Sequence, residues 1–266
     1  MVADPGRAPA VWAAGVRKVY PSGLEAVAAL DLTLDAGKTT ALVGPSGCGK
    51  STLLRLIAGL EEPTEGSVSI DGEHPVTVAE RGELAVAFQD PSLLPWRTLR
   101  QNVALALTLA GRPVDDVAID RMIARVGLDG FGDARPAALS GGMRQRAAIA
   151  RALITEPRLL LLDEPFGAVD ELTRQDLIAE LPPLWHRRGT TTVLVTHSIS
   201  EAVRIADRIV VLSPRPAKIS GDVPVPLPHP RGSDAVQSAA FTDAVDAVTT
   251  ALERSRGEQS GTDAQR

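Results

Sequence analysis

The chain has 266 residues, enough for one or two domains with a sizeable apolar core. Apolar residues make up 44%, charged residues 23%, and the net charge is -5, a balance that excludes a disordered or fibrous polypeptide. An acidic excess with 3% aromatics supplies neither a phosphate-tracking surface nor a base-stacking platform, which argues against nucleic acid as a partner.

In chain order, the opening MVADPGRAPAVW lacks a basic segment followed by an apolar one, so no secretory signal is expected. With Cys48 as the one cysteine there is no internal disulfide, and the expected location is cytosolic. Segments around residues 11–20, 26–34 and 67–73, the last ending in the turn-forming pair Asp71-Gly72, read as antiparallel strands attached to one edge of a larger sheet. Near-continuous apolar runs at 39–43 (TTALV), 84–88 (LAVAF), 159–162 (LLLL), 191–195 (TTVLV) and 208–212 (RIVVL) predict strands buried on both faces. Helical patterns lie between them at 51–58, 99–109, 117–126, 142–154, 171–187 and 200–206. Strands alternating with helices imply an α/β fold with a mostly parallel sheet. Residues 98–156 carry helical patterns and little strand, so they read as a helical insert. The longest apolar stretch, 103–110, falls short of the ~18 residues that cross a bilayer. After Ser213 the prolines at 214, 216, 224, 226, 228 and 230 break up any continuous element; an amphipathic helix at 241–254 precedes a polar tail from Gly257 that is expected to be disordered. The expected division is one domain over 10–230 and a C-terminal helix with its tail over 231–266.

The segment GPSGCGKST fits the phosphate-loop pattern G-x-x-x-x-G-K-[ST] between a predicted strand and a predicted helix. Gly44, Gly47 and Gly49 let the backbone curl so that successive N–H groups face inward at a helix N-terminus, a field suited to a polyphosphate. Gly44, Pro45, Ser46, Gly47, Cys48, Gly49, Lys50, Ser51 and Thr52 therefore form the expected cup for ATP. Lys50 is placed to bridge the β- and γ-phosphates, and the Ser51 hydroxyl to take one position on Mg²⁺. Cys48 stands where the pattern accepts any residue and reads as a small tolerated side chain rather than a reactive thiol. Further on, LLLLDEPF carries a buried strand up to two carboxylates at its carboxyl end, where open α/β sheets bind ligands. Asp163 suits Mg²⁺, held through its water shell, and Glu164 suits a base that deprotonates the water attacking the γ-phosphorus. Gln89 and His197 also end strands; either alone would be an ordinary surface or core group. Together, four parallel strands would deliver the loop, Gln89, Asp163 with Glu164, and His197 to one edge. Gln89 would then sense metal and water, and His197 would contact the γ-phosphate. His74, His186 and His229 read as surface residues. In LSGGMRQR, Ser140, Gly141 and Gly142 open a helix with exposed N–H donors, a second anion site surplus to one nucleotide and suited to the nucleotide of a partner.

Over residues 10–215 these motifs, in this order, resemble the ATP-binding subunits of ABC transporters. The resemblance implies a P-loop NTPase fold of ABC ATPase type: a mostly parallel sheet with an antiparallel β subdomain and a helical signature subdomain. It implies that Tyr20 stacks on adenine and that Asp170, ending the GAVD run, belongs to the site; Val169 stands where the family more often has leucine. It further implies a head-to-tail homodimer in which Ser140–Gly142 of one subunit closes over the ATP of the other. Two membrane permease subunits and an extracytoplasmic solute-binding protein complete the implied assembly, with this chain peripheral on the cytoplasmic face of the membrane. The run FQDPSLLPWRTLRQNVAL and Met143 in SGGMRQR look like the nitrate, sulfonate and taurine import branch. Residues 90–102, with Leu93, Leu94 and Trp96, are then placed to dock a permease, or else to pack the insert. Rival readings are a different import or export substrate, a non-transport ABC ATPase, and a nucleotide-gated module without catalysis. The long coiled coils and tandem ATP domains of the non-transport relatives are not found in this sequence.

Overall fold

The computed structural model describes residues 8–263. Strand β1 (Val11–Val19) pairs antiparallel with β2 (Glu25–Leu34), and its residues Val11, Ala13 and Val16 point into the core. Strand β3 (Thr39–Val43) is buried along its whole length and runs through residues 44–49 into helix α1 (Lys50–Ile57). Leu53, Leu54, Leu56 and Ile57 of that helix are fully buried, each contributing about 1.5–3 kcal/mol of transfer free energy. Strand β4 (Glu65–Ile70) then returns to pair with β1, and the short helix α2 (Pro75–Glu80), capped by the His74 ring accepting from the Val76 N–H, leads into β5 (Leu84–Ala87).

The helical insert follows as α3 (Leu99–Leu109), α4 (Asp116–Arg125) and α5 (Gly141–Leu153). Each has a side-chain cap, from Thr98, Asp115 and Ser140, which satisfies N–H groups that the first turn leaves without partners. Strand β6 (Leu159–Asp163) re-enters the sheet. One helix was expected over 171–187, but the structure has two, α6 (Glu171–Glu180) and α7 (Pro182–His186), because Pro182 cannot donate to the turn before it. Strand β7 (Thr191–Thr196), helix α8 (Ile199–Ile205) and strand β8 (Arg208–Leu212) complete the alternation.

The large sheet has the order β5-β6-β7-β3-β8, all parallel, and ends in β9 (Ile219–Pro224), which is antiparallel to β8. That last strand is unexpected in a stretch whose prolines read as breaking up any continuous element. Pro216 precedes it and Pro224 closes it at the sheet edge, where a missing N–H is tolerated. The N-terminal strands also depart from expectation: they form a separate sheet, β2-β1-β4, instead of extending an edge of the large one. Period-2 alternation in the parallel strands divides the core accordingly. Leu42, Leu161, Val193 and Val210 pack with α1 and the antiparallel sheet, while Val43, Leu162, Leu194 and Ile209 pack with the insert and the C-terminal helices.

Helix α9 (Ser233–Val236) and the longer α10 (Ala239–Asp263) close the described chain. Phe241, Ala244 and Val248, at i, i+3 and i+7, bury one face of α10 against β9, β8 and α8. The helix runs past Gly257, where composition suggested a disordered tail; residues 264–266 of that tail lie outside the described residues. Among the described residues no helix is long and apolar enough to cross a membrane.

Candidate nucleotide site

The carboxyl ends of β3, β5, β6 and β7 meet at a cavity of about 430 Å³ lined by Tyr20, residues 46–47 and 49–52, Gln89, Glu164, His197 and Arg215. Two glycines of the loop are there for space. A side chain at Gly44 would meet the Leu212 carbonyl at 2.8 Å, and one at Gly49, whose φ is 120°, would meet the Ala26 carbonyl at 2.6 Å. The Lys50 ammonium is buried within this turn and donates to the Gly44 and Pro45 carbonyls at 2.8 and 2.9 Å, so a cation sits at the floor of the cup. Cys48 points away from the cavity, beneath the loop and into the core, and burial pushes its thiol up.

The Ser51 hydroxyl donates to Asp163 Oδ1 at 3.0 Å. Burial pushes the Asp163 carboxyl up, opposed by that hydrogen bond, and no cation lies within ion-pair distance of it among the described residues. A buried carboxylate beside a hydroxyl, with the Gln89 amide at the same edge, is an oxygen donor set that fits a small hard divalent cation. Glu164 follows Asp163 in a left-handed backbone conformation, φ 47°, fixed by its N–H to the Val195 carbonyl at 2.9 Å and by the Gly167 N–H to its own carbonyl at 3.1 Å. Such strain in a non-glycine residue is retained where the surroundings over-determine it. The turn holds the Glu164 carboxylate where Gln89 Nε2 and His197 Nδ1 each lie 3.4 Å from its Oε2.

Tyr20 flanks the cavity, its hydroxyl donating to Glu61 Oε2 at 3.0 Å and lying 3.3 Å from the Thr52 hydroxyl. Ser140, Gly141, Gly142 and Asp170 do not line this cavity. The Ser140 hydroxyl caps α5 by accepting from the Met143 N–H at 3.2 Å, and Asp170 caps α6 by accepting from the Thr173 N–H at 3.0 Å, which holds its carboxyl below the usual range. The two caps are neighbours: a side chain at Gly142 would meet the Ala168 carbonyl at 3.3 Å. Arg215 is a lining residue that the sequence did not mark, since it stands in a proline-rich stretch without periodicity. Gln145 is another. Fully buried on α5, it donates to the Phe88 carbonyl at 3.2 Å and joins the signature helix to the backbone just before Gln89.

The ABC transporter family matches residues 27–167 of the chain. The aliphatic sulfonates import ATP-binding protein SsuB 2 of Xanthomonas axonopodis pv. citri is 49% identical over 217 residues, which is 82% of this chain and 72% of that one. The nitrate import ATP-binding protein NrtC of Synechocystis is 48% identical over 208 residues, 76% of this chain and 31% of that longer protein. Among solved structures, the dimer of an ATP-binding cassette in a post-hydrolysis state bound to ADP and Pi superposes with a TM-score of 0.75 at 32% identity, over 81% of this chain and 98% of that one.

Proposed function

The chain belongs to the ABC transporter family of ATP-binding subunits, and from that premise we propose that it hydrolyses ATP to drive import of a small anion of the sulfonate, nitrate or taurine type. The observation that carries the catalytic part is the meeting of Gln89 and His197 on the Glu164 carboxylate, opposite the phosphate loop and inside one cavity. In this reading the loop N–H groups and Lys50 hold the phosphates, and Tyr20 stacks on the base. Ser51, Asp163 and Gln89 would hold Mg²⁺, which supplies charge neutralisation at the phosphates. Glu164 takes the proton of the attacking water, and His197 fixes that carboxylate while contacting the γ-phosphate.

The import direction and substrate class rest on what the relatives are named for. Their transport role also supports a homodimer on the cytoplasmic face of the membrane, docked on two permease subunits fed by an extracytoplasmic solute-binding protein. Residues 90–102 follow Gln89 directly, and Trp96, 68% exposed, is available there as a permease contact. Glu164→Gln is the test. It keeps the shape and removes the base, so hydrolysis should fall by about 10² or more while ATP affinity persists. Phosphate release and equilibrium binding read the two separately, and near-normal hydrolysis by the variant would remove Glu164 from the role of base.

A further inference from the structure

A second cavity, of about 670 Å³, shares no lining residue with the nucleotide cavity and is walled by α6, α7, the end of α8 and the strap at residues 229–235. Its size is that of a small-molecule site. His186 and His229, expected at the surface, are half-buried here with their rings 4.0 Å apart. With Asp207 they form a trio that elsewhere could hold a metal ion. The charge around them argues against a cation. Asp207 already accepts from the Thr39 N–H at 2.8 Å and pairs with His229 at 3.3 Å, and Lys38 lies 4.0 Å from it. Burial, then the neighbouring His229 and Arg231, push His186 down to about 4 against the pull of Asp207, so the ring is uncharged at neutral pH.

Arg231 is buried, and its guanidinium donates only to neutral carbonyls, those of Val203, Ala206, Val225 and Leu227. All its N–H groups are satisfied, yet its charge has no directly bonded carboxylate. Arg204 and Arg187 line the same cavity, and among the described residues neither bonds to a carboxylate; the buried Arg204 Nε has no hydrogen-bond partner at all. Arg187, Arg204 and Arg231 therefore share a cavity with one exposed carboxylate, Asp234, beside the two histidine rings and the apolar Ile178 and Pro182. Leaving the buried Arg204 donor without a partner is costly, and an anion with an apolar body would satisfy it while adding to the negative charge that Asp207 already brings near Arg231.

We propose that this cavity binds a small organic anion, with Arg204 and Arg187 on its charged group and Ile178 and Pro182 against its apolar body. The site is independent of the nucleotide reading and would tie α6, which Asp170 caps, to α8, which begins two residues after His197. Calorimetric titration of the full chain with hexanoate, and with hexanol as its neutral counterpart, tests it. Hexanoate should bind saturably with one site per chain, hexanol should not, and Arg204→Gln and Arg187→Gln should each weaken hexanoate about tenfold, or 1.4 kcal/mol. Arg187 is exposed, so that variant remains informative if the other folds poorly, and unchanged ATP binding confirms an intact domain. No saturable heat with hexanoate on the order of 10 mM, or equal binding by wild type and both variants, overturns the proposal.

Discussion

Glu201 sits on the first turn of α8, 6% exposed, with its Oε1 unpartnered. Burial raises its carboxyl to about 7, against a hydrogen bond from Thr196 and the attraction of Arg174, with Glu164 adding to the rise. The native state therefore holds this proton more tightly than the unfolded chain, whose carboxyl titrates near 4.5. The resulting stability is fully present below the unfolded value, falls as pH rises from about 4.5 to about 7, and is flat above. The sign is opposite to that of a salt-bridged carboxylate. At pH 8 the cost is on the order of 3 kcal/mol. Glu201→Gln should remove it, so denaturant unfolding should show the variant more stable than wild type at pH 8 and nearly equal to it at pH 5. Equal stability of the two at pH 8 would mean that the carboxylate has a partner in solution that offsets its burial. The residue precedes Ala202 in an ordinary helical pattern, so the sequence alone gives no sign of this buried acid close to Glu164.

Residues 90–98 leave the end of β5 with no regular structure of their own, and two helices hold them. Arg151 of α5 donates to the Pro91 and Ser92 carbonyls, both at 2.9 Å, and the fully buried Asn102 of α3 accepts from the Leu94 N–H and donates to the carbonyls of Leu94, Arg97 and Thr98. Charged hydrogen bonds of this kind contribute about 1.5–3 kcal/mol each, so Arg151→Ala should speed amide exchange over residues 90–98 by about tenfold or more. Nucleotide affinity should be unchanged, because Arg151 touches nothing in the cavity; protection equal to wild type would place the restraint wholly on Asn102. The sequence could not show this clasp, since it depends on side chains that reach backbone across the fold. It did show the parallel strands, because burial on both faces leaves an unbroken apolar run, and with them the polar residues at their carboxyl ends. Strand β9 was hidden because Pro216 and Pro224 bracket it, and α2 because His74 is an uncommon cap. The separate antiparallel sheet was hidden because the choice of partner strand leaves no local mark.

At the scale of the whole molecule, the motifs fall into two groups that one chain does not unite. Residues 46–47 and 49–52, Gln89, Glu164 and His197 share a cavity, whereas Ser140, Gly141, Gly142 and Asp170 form their own surface where α5 and α6 begin. Exposed N–H groups at the start of a 13-residue helix suit a phosphate, and with none presented by its own chain they suit one held by a second copy. A two-fold dimer would use each surface twice, so every composite site would take its loop from one subunit and its helix start from the other. Mixing inactive variants separates this arrangement from a site complete within one chain. Lys50→Ala removes the cation at the floor of the loop, and Ser140→Arg blocks the start of α5, so each homodimer should be inactive. In a mixed dimer the loop of the Ser140→Arg subunit meets the intact helix start of the Lys50→Ala subunit, and one of the two sites is whole. Random pairing should then restore about a quarter of the wild-type hydrolysis, half the dimers being mixed and each having one working site. If hydrolysis needs both sites at once, the mixture stays inactive yet ATP still binds to the Ser140→Arg subunit, so nucleotide binding is measured alongside. Activity in either variant alone would instead show that the group it lacks is not needed.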